Sequence, residues 1–361
     1  MSTNNAPLVS ILSSSFNHEK YVKFFIDSVL AQTAKNWELI IVDDCSTDNN
    51  VAEIKKYHDP RIKLIRHPFN MGMNCASMTG LAHARGKYIA QCASDDMLMP
   101  NFVQRITDFM DAHPNIGVLY TGLQCIDNQN NIMPHNEIHS AQGTRYEILR
   151  KLFYEHNCMT SPGQVIRRTE YKKIQPLDIA ISQHQDYKIH VRLLLNTECA
   201  FLNENLVLYR APSGKSGISF STPLSRMRCA LEEGAVMDAF LEIDDIKTLQ
   251  NIFGTDLDKF GKITKNMIPY VLGTLAMDAW NISKRRWGYS QIVKFINNMD
   301  NYKLVNKQYG FCFRDFLELA NKFLTENTVE YKYHKYKNLF NTTIQISCVT
   351  ILILIILLAI K

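Results

Sequence analysis

The chain has 361 residues, 46% of them apolar and 21% charged, with a formal net charge of +5. That length can bury one large core or two, and the composition is that of an ordinary globular chain. The mild charge, with no basic patch interleaved with aromatic residues, argues against a nucleic-acid binder. In chain order, "LVSILS" (Leu8–Ser13) reads as a buried strand, and "YVKFFIDSVLAQ" (Tyr21–Gln32) as a helix with Val22, Phe25, Ile26 and Val29 on one face. "ELIIVDD" (Glu38–Asp44) is the second strand, followed by a helix-like "NNVAEIKKYH". A strand at Ile62–His67, a helix at Met73–Ala84, a strand at Lys87–Ala93 and a helix at Asn101–Ala112 continue the alternation. Strand–helix–strand order predicts an α/β fold with a mostly parallel, doubly wound sheet and helices on both faces.

Beyond Gly117 the pattern is mixed. "GVLYTGLQCI" reads as a strand, "DYKIHVRLLLN" (Asp186–Asn196) as a helix, and "AFLNENLVLYR" as a strand pair. After Pro223 the chain reads as helical to about Asn341. The Pro/Gly/Ser-rich "APSGKSGISFSTP" (Ala211–Pro223) is the expected boundary. The expected units are residues 1–222, a helical C-terminal region 223–341, and an apolar terminal helix 342–361.

Nine cysteines without a C-x-x-C pair fit reduced thiols in a cytosolic compartment. The N-terminal "MSTNNAPLVS" carries no basic or apolar leader pattern, so no signal peptide is expected. Ile344 to Ile360 hold no charge, at the short end of the roughly 17–25 residues of a spanning helix. Lys332, Lys335 and Lys337 alternate with Tyr331, Tyr333 and Tyr336 just upstream, as suits a membrane interface. The expectation is a single C-terminal anchor on the cytoplasmic face of a membrane, with a buried terminal helix or an oligomer contact as the alternative.

Polar residues collect where the predicted strands end: Ser14, Ser15 and Asn17; Asp43, Asp44, Ser46 and Asp48; Arg66, His67 and Asn70; Asp95 and Asp96. In parallel sheets, ligands bind beyond the carboxyl ends of the strands. The adjacent Asp95 and Asp96 repel each other, and a hard divalent cation such as Mn²⁺ or Mg²⁺, shared with substrate phosphates, explains the pair. The alternative is capping of the helix at Asn101–Ala112. Asp43 and Asp44 sit in a turn where a fixed carboxylate can accept the N3–H of a uracil ring, the alternative being turn chemistry and capping of the following helix, with Ser46 and Asp48 serving the turn.

"VSILSSSFNHEKYV", "SVLAQTAKNWELIIVDDCSTDN" and "FNMGMNCASMTGLAHARGKYIAQCASDDMLMP" together resemble the inverting family 2 glycosyltransferases of GT-A fold, over roughly Pro7 to Ser219. The resemblance implies that Ser14 and Phe16 hold and stack the nucleotide base, that Asp44 meets its ring nitrogen, and that Arg66 lines the base pocket. It implies that Asp96 is the closer metal ligand and that Asp95 faces ribose or metal. "SQHQDYKIHVRLL" resembles the helix start that carries the family's base, which makes Asp186 the catalytic base, with His184 an alternative. "LYRAPSGKSGIS" resembles the closing segment, which brings Arg210 or Lys215 to the diphosphate.

The function this implies is metal-dependent transfer of a sugar, with inversion, from a UDP-type donor to a hydroxyl of a surface-glycan or lipid-linked acceptor. Ala93, Gln185 and the absence of the family's closing-segment histidine depart from its pattern and favour the alternative, a nucleotide-sugar-binding assembly subunit without turnover. A nucleotidyltransferase is disfavoured because neither "GxGxxG" nor "GxxxxGK" occurs.

Overall fold

The computed structural model describes residues 6–211 and 221–323. Lys215 and the apolar run Ile344–Ile360 lie outside these residues. Strands are β1 (Val9–Ser15), β2 (Trp37–Asp43), β3 (Ile62–Arg66), β4 (Tyr88–Gln91), β5 (Met97–Leu98), β6 (Ile116–Ile126), β7 (Ile132–Ile138), β8 (Val165–Arg167) and β9 (Glu198–Arg210). Helices are α1 (Val22–Leu30), α2 (Asn50–Ile54), α3 (Met73–His83), α4 (Phe102–Ala112), α5 (Arg145–Tyr154), α6 (Arg168–Lys173), α7 (Gln185–Asn196) and α8 (Pro223–Met237). They continue as α9 (Ile246–Phe253), α10 (Ile268–Ala276), α11 (Ile282–Ile296), α12 (Met299–Tyr309) and α13 (Phe313–Glu318).

The nine strands form one sheet in the order β3-β2-β1-β4-β8-β6-β9-β5, with β7 on β6. The first four strands are parallel, in register Val9↔Trp37 and Val9↔Tyr88. Alternate side chains divide between two cores, as period-2 geometry requires. Ile11, Leu39 and Ile41 face α1 and α4; Leu12, Ile40 and Val42 face the side covered by α3, α5 and α7. Burial on both faces is why these strands read as continuous apolar runs.

Two expectations need correction. The sheet is mixed rather than mostly parallel, because β8 joins β4 and β6 antiparallel, β7 joins β6 antiparallel, and β5 joins β9 antiparallel. The expected strand pair near Ala200–Arg210 is a single strand. Its partners jump from Thr121↔Leu202 to Gly122↔Asn205, so Asn203 and Glu204 bulge out of the ladder instead of turning the chain. Arg105 holds the bulge by donating to Glu204 at 2.9 Å.

The described part of the C-terminal region is helical, and its core is continuous with that under α5 and α7: Phe153 packs edge-on against Phe240, Phe253 and Trp287. Helices α10 and α11 meet through Gly273 and Gly288; a Cβ on Gly288 would stand 2.5 Å from the Gly273 carbonyl oxygen. Among the described residues no helix is long and apolar enough to cross a membrane.

Candidate active site

The strand order reverses between β1 and β4, so their carboxyl ends open a crevice where the connecting chains diverge. The loops after β1 and β2 are tied to each other. Asn17, at φ 56°, accepts from the Thr47 N–H at 2.8 Å, and its own N–H donates to Ser46 Oγ at 2.9 Å. Cys45 also has positive φ, 64°, which only the surrounding bonds make tolerable for a non-glycine residue. Asp48 accepts from the N–H groups of Glu19 and Asn50, both at 3.0 Å, so it serves the turn as expected.

Asp43 and Asp44 have separate tasks. Asp43 is fully buried and accepts from the Ser46 N–H at 3.0 Å and from Asn50 Nδ2 at 2.8 Å. Asp44 accepts from the N–H of Met71 at 2.7 Å, the N–H of Gly72 at 2.8 Å, and the His67 ring at 2.8 Å. A carboxylate offers about four acceptor positions, so one remains for a ligand donor. Ser14 is half-buried and Phe16 is 41% exposed, which leaves its ring face free at the rim. Arg66 stands half-exposed at the end of β3; its Nε lies 3.4 Å from Asp43, and a terminal nitrogen donates to the Ser46 carbonyl at 3.1 Å.

A hydrogen-bonded chain that sequence reasoning missed spans the crevice. Asn50 Nδ2 donates to Ser15 Oγ at 2.9 Å; Ser94 Oγ donates to Ser15 Oγ at 2.7 Å and lies 2.8 Å from His18 Nδ1. The other ring nitrogen of His18 is 3.9 Å from the Asp95 carboxylate. The only sequence signal for His18 was its place three residues beyond β1.

Asp95 and Asp96 do not cap α4. Strand β5 intervenes, and α4 starts behind Asn101, which makes no side-chain cap. Asp96 is 2% exposed and accepts from the Arg210 N–H at 2.8 Å. Burial, then the neighbouring Asp95 charge, pushes its pKa well above the usual carboxylate value, outweighing that hydrogen bond. A buried carboxylate beside a second one is the donor set a hard cation relieves, so these residues fit Mn²⁺ or Mg²⁺. Among the described residues no group of three or more His, Cys, Asp or Glu is arranged around a metal position. Two protein carboxylates plus substrate phosphate oxygens match the way Mg²⁺ is usually held.

Arg210, expected at the diphosphate, has its guanidinium buried. It donates to the carbonyls of Asp95 at 2.8 Å and Asp127 at 2.6 Å and to Asn130 Oδ1 at 2.6 Å, and it stacks on Tyr21 at 4.4 Å. In this arrangement it holds the Asp95–Asp96 loop against the β6–β7 turn.

Asp186 lies in the first turn of α7, behind the N-cap residue His184. Its carboxylate accepts from the Tyr187 N–H at 2.7 Å and from Asn157 Nδ2 at 3.3 Å. A carboxylate in the first turn of a helix is favoured in its ionised form. In the fold, burial dominates and raises its pKa, against the Tyr187 N–H, the nearby His184 and Asn157. The outcome is a stronger base than the helix terminus alone would give. His184 is engaged elsewhere, 3.4 Å from Glu233.

A separate cavity of about 450 Å³ opens at the amino ends of the strands, lined by Arg85, Lys87, Arg167 and Arg168. It is remote from the crevice, and Arg85 and Lys87 are paired there with Glu38 and Asp111.

The model of "Glycosyl transferase family 2" matches residues 10–175. A putative colanic acid biosynthesis glycosyl transferase of Escherichia coli K12 is 30% identical over 200 residues, 53% of this chain and 67% of that protein. The UDP-Glc:alpha-D-GlcNAc-diphosphoundecaprenol beta-1,3-glucosyltransferase of Escherichia coli is 29% identical over 212 residues, 59% of this chain and 79% of that protein. The crystal structure of S. aureus TarS 1-349 with UDP-GlcNAc superposes with a TM-score of 0.54 at 15% identity, covering 84% of this chain and 91% of that one.

Proposed function

Since the chain belongs to glycosyl transferase family 2 and is a glycosyltransferase with a GT-A-like α/β fold, we propose that it transfers a hexose with inversion from a UDP-sugar to a hydroxyl of a surface-glycan or lipid-linked acceptor. The observation that carries this reading is the Asp95–Asp96 pair at the strand ends: Asp96 is buried beside a second carboxylate, and burial and that neighbouring charge outweigh the Arg210 N–H and the Arg210 charge. The UDP-Glc donor and diphosphoundecaprenol-linked acceptor in the name of the 29%-identical Escherichia coli relative support the choice of donor and acceptor class.

In this reading Ser14, Phe16, Asp44 and Arg66 form the base pocket: Phe16 stacks on the ring, and Asp44 takes the ring N–H with its remaining acceptor position. Asp95 and Asp96 would hold Mn²⁺ or Mg²⁺, which when bound neutralises charge on the departing diphosphate. Asp186 takes the proton of the acceptor hydroxyl. The acceptor oxygen forms its bond to the anomeric carbon from the face opposite the bond to the diphosphate oxygen. That second bond breaks with its electron pair leaving on UDP. The raised pKa of Asp186 suits a proton accepted as the nucleophile's charge develops. Membrane attachment through residues 342–361 belongs to the same proposal.

The test is calorimetric titration of UDP with Mn²⁺ and with EDTA, for the wild type and Asp96→Ala. Metal-dependent binding lost in the variant supports the reading. Binding indifferent to both metal and substitution overturns the role of the acidic pair. A protein that binds UDP yet turns over no donor, and in which Asp186→Asn changes nothing, would instead be an assembly subunit.

A further inference from the structure

Lys284, on α11, is completely buried, and it lies about a hundred residues beyond Asp186 in sequence. Its ammonium shares three protons among four acceptors within hydrogen-bond reach: the carbonyl oxygens of Leu152 at 2.7 Å, Phe153 at 3.1 Å and Glu155 at 2.7 Å, and Tyr187 Oη at 2.7 Å. Glu233 of α8 lies 3.6 Å away. The three carbonyls are acceptors left open where α5 ends, and the cation sits at the negative end of that helix. Burying an ammonium is costly unless every proton finds an acceptor, so this geometry is strongly specified.

Its partners converge on one residue. Tyr187 directly follows Asp186. Glu155 is two residues before Asn157, whose side chain donates to Asp186. Glu233 pairs with His184, the N-cap residue of α7. The adjacent Glu232 accepts from the N–H groups of Ser182 at 3.0 Å, Gln183 at 2.7 Å and His184 at 3.0 Å, fixing the chain as it enters α7. Burial pushes the Glu233 carboxyl up, but the hydrogen bond from His184 and then the Lys284 charge outweigh this and hold it below its ordinary value. The chain before Asp186, the residue after it and the loop that carries its hydrogen-bond donor are thus all gripped from α8 and α11.

We propose that Lys284, with Glu233, is a positioning residue for Asp186: the C-terminal helices clamp the base in place and so form part of the catalytic apparatus. This rests on Asp186 being the base. The clamp touches no reacting atom and lies beyond residues 10–175, where the family match ends.

The experiment compares Lys284→Met, Glu233→Gln, Asp186→Asn and the two double variants with Asp186→Asn. UDP release from UDP-glucose and UDP-GlcNAc is measured in full-length protein with Mn²⁺. Each clamp variant is expected to lower kcat about 10- to 100-fold, the scale of a small misplacement of a catalytic group. KM for the donor and UDP affinity should stay unchanged, and neither substitution should lower the rate further once Asp186 is Asn. Hydrogen exchange, read without substrate, should show lost protection at the Tyr187 amide. A clamp substitution that lowers the rate equally in both backgrounds, or leaves both kcat and Tyr187 protection intact, overturns the proposal. If Lys284→Met does not fold, Glu233→Gln carries the same test. Full activity in Asp186→Asn alone would instead overturn the assignment of the base.

Discussion

The backbone N–H of Arg210 donates to the Asp96 carboxylate at 2.8 Å, joining the end of β9 to the loop after β4. The same residue's guanidinium grips the Asp95 carbonyl. One arginine therefore holds both halves of the acidic pair, with Asp96 buried against it and the Asp95 carboxylate partly exposed.

This arrangement predicts a metal response readable without substrate. Mn²⁺ at a hundred times its Kd should stabilise the wild type by about 2.7 kcal/mol, and a thermal scan would show the rise in Tm. Asp96→Asn should start from a higher Tm, because a buried, poorly compensated charge has been removed, and should gain nothing from Mn²⁺. An equal Mn²⁺ shift in both proteins would place the cation elsewhere.

Replacing Arg210 by Met should cost roughly 2–4 kcal/mol in urea unfolding, since the carbonyls of Asp95 and Asp127 lose their donor in a buried setting. Metal-dependent UDP binding should weaken as well, because the acidic loop loses its support. Unchanged stability would mean that the guanidinium contacts contribute little.

For Asp186 the sign follows from its raised folded-state pKa. The folded state holds the proton more tightly than the unfolded chain, so ionising Asp186 costs stability. The cost is absent below the ordinary value of 3.8, grows as pH rises through the folded-state pKa, and is constant above it. Asp186→Asn should therefore raise Tm at neutral pH, with the gain shrinking toward acid, while kcat falls about 10²- to 10⁴-fold. A Tm below the wild type at neutral pH would contradict the burial argument.

Gly288→Ala should lose about 1–3 kcal/mol, because the new Cβ would stand 2.5 Å from the Gly273 carbonyl oxygen, a backbone atom with little room to move. Chemical denaturation measures this directly. An unchanged midpoint would mean that α10 and α11 can separate freely.

The sequence by itself determined the first half of the fold and most of the crevice. Leu8–Ser13 and Glu38–Asp44 announced buried strands because a parallel sheet covered on both faces needs apolar runs, and Lys87–Ala93 and the edge strand at Ile62–His67 completed the alternation, although no residue of β3 is buried. Once those strands are parallel, their carboxyl ends must lie on one edge, so Ser14, Asp44, Arg66, Asp95 and Asp96 are brought together by topology alone.

Only the tertiary structure decided the neighbours of β6, β8 and β9, the link from His18 to Ser94, the turn of the Arg210 guanidinium inward, and the reach of Lys284 from α11 to Tyr187, 97 residues away. Local periodicity tells which face of a segment is buried and nothing of what it is buried against. A buried lysine in "NISKRRWG" reads as one more surface charge until the chain folds and places it against the open carbonyls of α5. The pKa of Asp186 was decided the same way: a helix terminus is visible in sequence, but the surroundings that desolvate the partly buried carboxyl come with the fold, and they outweigh the helix.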